Sequence, residues 1–264
     1  MTYTEYADLE GERWSQLKLM RSSPRHYKYG RDHPRPDTSA LSLGRAAHAA
    51  LYEPHTLTAY PGKVRRGKEW ELFKIDNEGA NIVSAKEHAL AVDMAEAVRN
   101  DPVAGPIVSG AFLEQTITWT DRVTGHKCKG RVDQVNGRLG DLKTTSNINP
   151  RRFAGDVEKY GYLGQLAFYL DGLQANGILP EERPVIICVE SAPPHDVIVY
   201  EIGDDDMDAG RDLYRTLLLR VNVCEAHDTW PGIAEGELVK FHRPAWATEL
   251  PQTESLTLSG VEVM

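Results

Sequence analysis

Ala89, Val92, Ala95 and Val98 recur at every third position, which lines one helix face and predicts a helix over 86–100, stopped by Pro102. A second helix is expected from Ser42 to Tyr52, where Ala46, Ala47, Ala49 and Ala50 allow close approach to a neighbour and Pro54 follows the end. Leu163, Leu166, Leu170 and Leu173 mark a longer helix over about 160–176, closed by Gly177, and another runs over about 204–226. Asn149-Pro150 is a further helix start, a capping residue followed by proline at the first helical position. Extended segments are expected at 111–119, 126–135, up to Thr144, 185–190 and 197–202. The first 40 residues read as a short amphipathic helix (Trp14, Leu17, Leu19, Met20) and a loop rich in Pro24, Pro34 and Pro36. Residues 61–82 read as an ordered loop with a short helical piece, and 241–264 as an irregular tail. Helices, then an antiparallel meander, a helix, two strands and a helix place the chain in the mixed α/β class, one sheet in one domain over 1–264.

Within this order the segment GRVDQVNGRLGDLKTT, residues 130–145, concentrates chemistry. Val132, Val135, Leu139 and Leu142 predict two short strands around the turn signal Asn136-Gly137. Asp133 lies on the first strand; Asp141 and Lys143, two apart, project to one face of the second. Two carboxylates beside an ammonium can hold a hard divalent cation next to a water, an arrangement suited to phosphodiester cleavage. Alone, the same triplet is also what a solvated strand edge carries. The turn decides between them. A two-residue loop at Asn136-Gly137 would put Asp133 opposite Gly140 and Asp141 on the other face, whereas an odd loop restores a shared face. A three-residue turn with Gly137 in the left-handed region is therefore expected if the site is real.

Composition limits the setting. Of 264 residues, 41% are apolar, enough for a core, and no apolar run approaches the roughly 18 residues needed to span a membrane. The charged start, MTYTEYADLEGERW, does not read as a signal peptide. Cys128, Cys188 and Cys224 are isolated and form no CxxC pair, which argues against zinc, iron–sulfur and disulfide frameworks and fits a reducing cytoplasm. The net charge of −9 opposes a nucleic-acid partner, yet basic residues cluster at 21–35, at Lys63, Arg65, Arg66 and Lys68, and at Arg151 and Arg152. Acid gathers elsewhere, at Asp204, Asp205, Asp206 and Asp208. A basic groove on an acidic body is compatible with that distribution.

The remaining candidates are Gly44 and His48 on the alanine-rich helix, Glu114 early on the strand FLEQTITW, and Tyr162, Gln165 and Tyr169, which share one helix face. In the order Gly44, His48, Glu114, Asp133, Asp141-Leu142-Lys143, Tyr162-x-x-Gln165, the chain resembles the RecB-like branch of the PD-(D/E)xK nucleases. Within that branch it is most similar to the exonuclease VIII (RecE) type of phages and prophages. SPRHYKYG at 23–30, LGRAAHAALYEP at 43–54, RRGKEWELF at 65–73 and TGHKCKGRVD at 124–133 support the likeness, which covers roughly residues 17–224.

The resemblance implies a restriction-endonuclease-like fold, a central mixed sheet flanked by helices. It implies that Asp133 and Asp141 bind Mg²⁺ (or Mn²⁺), one or two ions, with the Leu142 carbonyl, Glu114 and His48 assisting. Lys143 would activate water and stabilise charge on the phosphate, while Gln165 and Tyr162 border the site and contact DNA. Arg65, Arg66 and Lys68 are candidates for the DNA entrance. The implied substrate is linear double-stranded DNA, degraded 5′ to 3′ to leave 3′ tails for a single-strand annealing protein. A ring-shaped homo-oligomer is also implied, with the Pro24–Pro36 loop and the segment after Phe241 as candidate contacts. Two departures matter: no cysteine quartet, which counts against a Cas4-like enzyme, and no GxxxxGK[ST], hence no P-loop motor. A restriction-type endonuclease and a non-catalytic module of the same fold are the alternatives.

Overall fold

The computed structural model describes residues 3–33, 38–110, 112–244, 257–258 and 261–262. Contacts divide the chain into Met1–Pro231 and Gly232–Met264, a boundary nine residues before the expected tail. The second unit contains two short antiparallel strands, Thr257–Leu258 and Val261–Glu262.

The first unit begins with α1 (Tyr3–Asp8), α2 (Trp14–Leu17), a 3₁₀ turn and α3 (Pro24–Asp32). α3 lies where a proline-rich loop was expected. Pro24 occupies the first helical position and the Ser23 hydroxyl accepts the His26 N–H, so proline here starts the helix. Then come α4 (Ser39–Tyr52), β1 (Leu57–Tyr60), α5 (Lys68–Asp76), β2 (Asn81–Ser84), α6 (Ala85–Asn100) and α7 (Ala104–Val108). The meander is β3 (Phe112–Thr120), β4 (Lys127–Asn136) and β5 (Arg138–Thr145). The chain continues through α8 (Pro150–Tyr160), α9 (Tyr162–Ala175), β6 (Val185–Glu190), β7 (Val197–Glu201) and α10 (Asp204–His227).

β3 to β7 form one five-stranded sheet in sequence order, antiparallel except for β5–β6, which the α8–α9 crossover makes parallel. The sheet is thus mixed, as expected. β6 shows why helices cover both faces: Ile186 and Cys188 enter one core, with residues of α9 and α10, and Val185, Ile187 and Val189 enter the other, with α4 and α6. An unbroken apolar run is what a strand buried on both faces requires. On the second face, buried Ala46, Ala47, Ala49 and Ala50 pack α4 close to its neighbours, α6 among them. Arg99 of α6 donates to the carbonyls of Ala50 and Leu51, capping the C-terminal end of α4.

Candidate active site

β4 and β5 pair over only three positions, Asn136↔Arg138, Val135↔Leu139 and Gln134↔Gly140. Gly137 alone turns the chain, with φ of 66°. The register is odd, as the shared-face argument requires, although the turn is tighter than the three-residue form expected. The next rung would join Asp133 to Asp141. On the other side of β4, Leu113↔Gln134 and Gln115↔Val132 bracket Glu114 directly across from Asp133. Backbone register therefore sets Glu114, Asp133 and Asp141 in one row across three strands. The side chain of Glu114 lies outside the described residues.

At that row the β4–β5 ladder stops and side chains replace it. Asp133 Oδ2 accepts the Leu142 N–H at 2.9 Å, and His48 Nε2 lies 3.0 Å from the Leu142 carbonyl oxygen. His48 Nδ1 is 3.4 Å from Asp133 Oδ2. Both backbone polar groups of Leu142 thus meet side chains, while its own side chain is buried in the α4–α6 core and fixes the strand. Burial, and next the Asp141 charge, push the Asp133 carboxyl up to about 8, against the opposing pull of Lys143, the Leu142 N–H and Arg131.

Asp141 is buried and faces α9. Its Oδ1 accepts from Gln165 Nε2 at 3.1 Å, its Oδ2 pairs with the Lys143 ammonium, and Lys143 Nζ donates to Gln165 Oε1 at 3.1 Å. Lys143 Nζ also lies 4.8 Å from the centroid of the Tyr162 ring, a cation–π contact. Burial first, then Asp141, raise the Tyr162 hydroxyl above its ordinary range.

A family model described as a PDDEXK-like domain of unknown function (DUF3799) matches residues 14–239. The chain belongs to this family. A crystal structure named as a "putative exonuclease" from Eubacterium rectale is similar, with a TM-score of 0.64 at 15% identity, over 92% of this chain and 94% of that one. At that identity the likeness speaks for the fold, which is that of the PD-(D/E)xK nuclease superfamily. A search of curated proteins finds no match.

The donor set of this PDDEXK-like chain fits a small divalent cation. Two carboxylates, a main-chain carbonyl and one imidazole suit Mg²⁺ or Mn²⁺, the imidazole being better matched to Mn²⁺. The 3.0 Å between His48 Nε2 and the Leu142 oxygen equals the spacing of about 3 Å between neighbouring ligands of an octahedral shell with bonds near 2.1 Å. Among the described residues, no three His, Cys, Asp or Glu side chains draw together as a metal cluster. Lys143 holds one oxygen of Asp141, and Glu114 stands outside that description.

Of the remaining neighbours, the sequence reading marked Tyr169 but not Tyr6, Lys129, Tyr52, Glu53 or Arg131. Tyr169 lies one turn beyond Gln165 on the same face, its hydroxyl held far above the ordinary range by burial first, then by Tyr6, Asp141 and Asp133. Tyr6 comes from α1, which Lys129 anchors by donating to the carbonyls of Tyr6, Ala7 and Leu9. Tyr52 donates to Gln134 beside Asp133, and Glu53 pairs with Arg131. Of the proposed DNA-entrance residues, Arg66 and Lys68 are exposed, whereas Arg65 pairs with Glu87, the residue that completes the capping box of α6. Tyr27, in the expected ring contact, is instead buried, donating to Glu12 at 2.6 Å and stacked on Trp230. Trp246 lies outside the described residues.

Proposed function

We propose that the chain is a divalent-metal-dependent exodeoxyribonuclease of the RecE type, degrading linear duplex DNA from its ends, 5′ to 3′, to leave 3′ single-stranded tails. The observation that carries this is the row Glu114–Asp133–Asp141 at the point where β4 and β5 part, flanked by His48 on one side and Lys143 with Gln165 on the other. The exonuclease designation of the Eubacterium rectale protein is consistent with it.

Asp133, Asp141, the Leu142 carbonyl and His48 would hold Mg²⁺ or Mn²⁺, with Glu114 assisting. The bound cation supplies a lowered water pKa and charge neutralisation at the phosphate. The residues do the rest. Lys143, positioned by Gln165 and the Tyr162 ring, brings positive charge to the place where the transition state becomes more anionic. Gln165 holds Lys143 and Asp141 at a fixed separation, because one amide contacts both. Tyr162 borders the scissile strand.

The sequence carries no GxxxxGK[ST] that would drive it along DNA, so in this reading encirclement retains DNA between cuts and a closed ring of three or four copies is part of the proposal. Its single-stranded product would pass to an annealing protein. Digestion of linear against covalently closed duplex DNA with Mg²⁺, with and without EDTA, tests the reading. Loss of the linear form alone, stopped by EDTA, is expected; cleavage of the closed circle would favour an endonuclease, and no cleavage of either a non-catalytic module. Light scattering tests the ring: a species of monomer mass with processive digestion would overturn it.

A further inference from the structure

The C-terminal part of α4 and β4 are joined by three side-chain contacts. His48 meets Asp133 at 3.4 Å, Tyr52 donates to Gln134 at 3.1 Å, and Arg131 Nη2 donates to both carboxylate oxygens of Glu53, at 3.1 and 2.9 Å. The third is charge-assisted, with one guanidinium nitrogen shared between both carboxylate oxygens. It is also well anchored. Glu53 caps α4, donating its N–H to Ala49, while its carbonyl accepts from the N–H and hydroxyl of Thr56, and Pro54 fixes the next residue. Arg131 stands two residues before Asp133 on β4, so both project to the same strand face.

That placement creates an electrostatic problem. A guanidinium so near Asp133 is always charged and would repel a divalent cation held there. Glu53 sits where it neutralises this charge and, through the same contact, fixes the α4 end whose preceding turn carries His48.

We propose that Glu53 and Arg131 are a positioning pair for the cation-binding edge: Glu53 cancels the Arg131 charge and sets α4 in register with β4, so that His48 and Asp133 stay together. Neither residue touches the reacting atoms. The inference rests on the nuclease reading, specifically on Asp133 and His48 as cation ligands.

The test is Mn²⁺ titration of the full chain by calorimetry, with DNA-cleavage KM for the metal and kcat measured separately. Glu53→Gln keeps shape but withdraws one negative charge from beside Arg131, and is expected to weaken Mn²⁺ binding about tenfold, raising the metal KM while kcat at saturating Mn²⁺ changes less than twofold. Arg131→Met loses the contact but also the repelling charge, and is expected to weaken Mn²⁺ binding less than Glu53→Gln does. The exchange Glu53→Arg with Arg131→Glu restores affinity toward the wild type. Thermal melts identify a variant that fails to fold; Arg131→Lys, which keeps charge and loses the two-oxygen contact, then takes its place and is expected to fall between wild type and Glu53→Gln. Wild-type affinity in Glu53→Gln would overturn the pairing role, as would a greater loss in Arg131→Met than in Glu53→Gln. A wild-type chain that binds no Mn²⁺ would instead overturn the nuclease reading itself.

Discussion

The two flanks of the β4–β5 split handle charge in opposite ways. On the α4 flank, an imidazole and a carboxylate reach the backbone of Leu142 where the β4–β5 ladder has stopped, and the positive group Arg131 is paired with Glu53. On the α9 flank, the Lys143 ammonium contacts Asp141, the Gln165 carbonyl and the face of the Tyr162 ring. On the proposed reading, the first flank would receive a metal cation and the second holds the Lys143 ammonium in place. Asp141 is the group where the two roles meet, which makes it the most sensitive position of the site.

That contrast sets the order of expected effects. Asp141→Ala should remove cleavage by about 10³-fold or more and also weaken Mn²⁺ binding, since both flanks lose their common group. Lys143→Ala should lower kcat by about 10²- to 10³-fold while leaving DNA-end binding and Mn²⁺ affinity near wild type, because it acts mainly in the transition state. If Lys143→Ala instead abolished Mn²⁺ binding, the division between flanks would fail.

His48→Ala should show the reverse pattern: Mn²⁺ binding weakened about 10- to 100-fold, with cleavage recovering as Mn²⁺ is raised. Saturating Mn²⁺, at about 100 times Kd, should stabilise the wild type by about 2.7 kcal/mol, and EDTA should reverse the rise in Tm. Asp133→Ala should show no such rise. Gln165→Ala should reduce cleavage by about tenfold, since Lys143 keeps Asp141 and the Tyr162 ring as partners. The smallest effect is at the proposed DNA entrance. Charge reversal at Arg66 and Lys68 should lower the salt dependence of DNA binding by about two phosphate contacts without touching kcat. Arg65→Glu should instead lower Tm, because it places like charge against the Glu87 cap.

Some of this arrangement could be read from the chain and some could not, for identifiable reasons. The odd register of the β4–β5 hairpin was readable because the period of two ties the spacing of Asp133 and Asp141 to the number of turn residues. β6 was readable as a buried strand from its apolar run between loop signals. α3 was not, because Pro24 at its first position and the prolines after it resemble loop punctuation until the Ser23 cap is recognised. The parallel pair β1–β2 was missed since it has no connecting turn; its four-residue strands are brought together by the intervening segment that includes α5. Glu53 and Arg131, 78 positions apart, carry no local signal of their pairing. Tyr169 did carry one, its place on the face of Tyr162 and Gln165, though nothing in the spacing says that the hydroxyl is buried beside two carboxylates.

The Leu142 amide has a consequence for observation. Its hydrogen bond runs to the Asp133 side chain, not to the backbone of a neighbouring strand. In a spectrum of backbone resonances this one proton would therefore report the state of Asp133 directly, shifting as a cation draws the carboxylate away and exchanging faster with deuterium once that acceptor is lost. A labelled sample would thus give a local readout of occupancy from a single N–H, independent of DNA and of turnover.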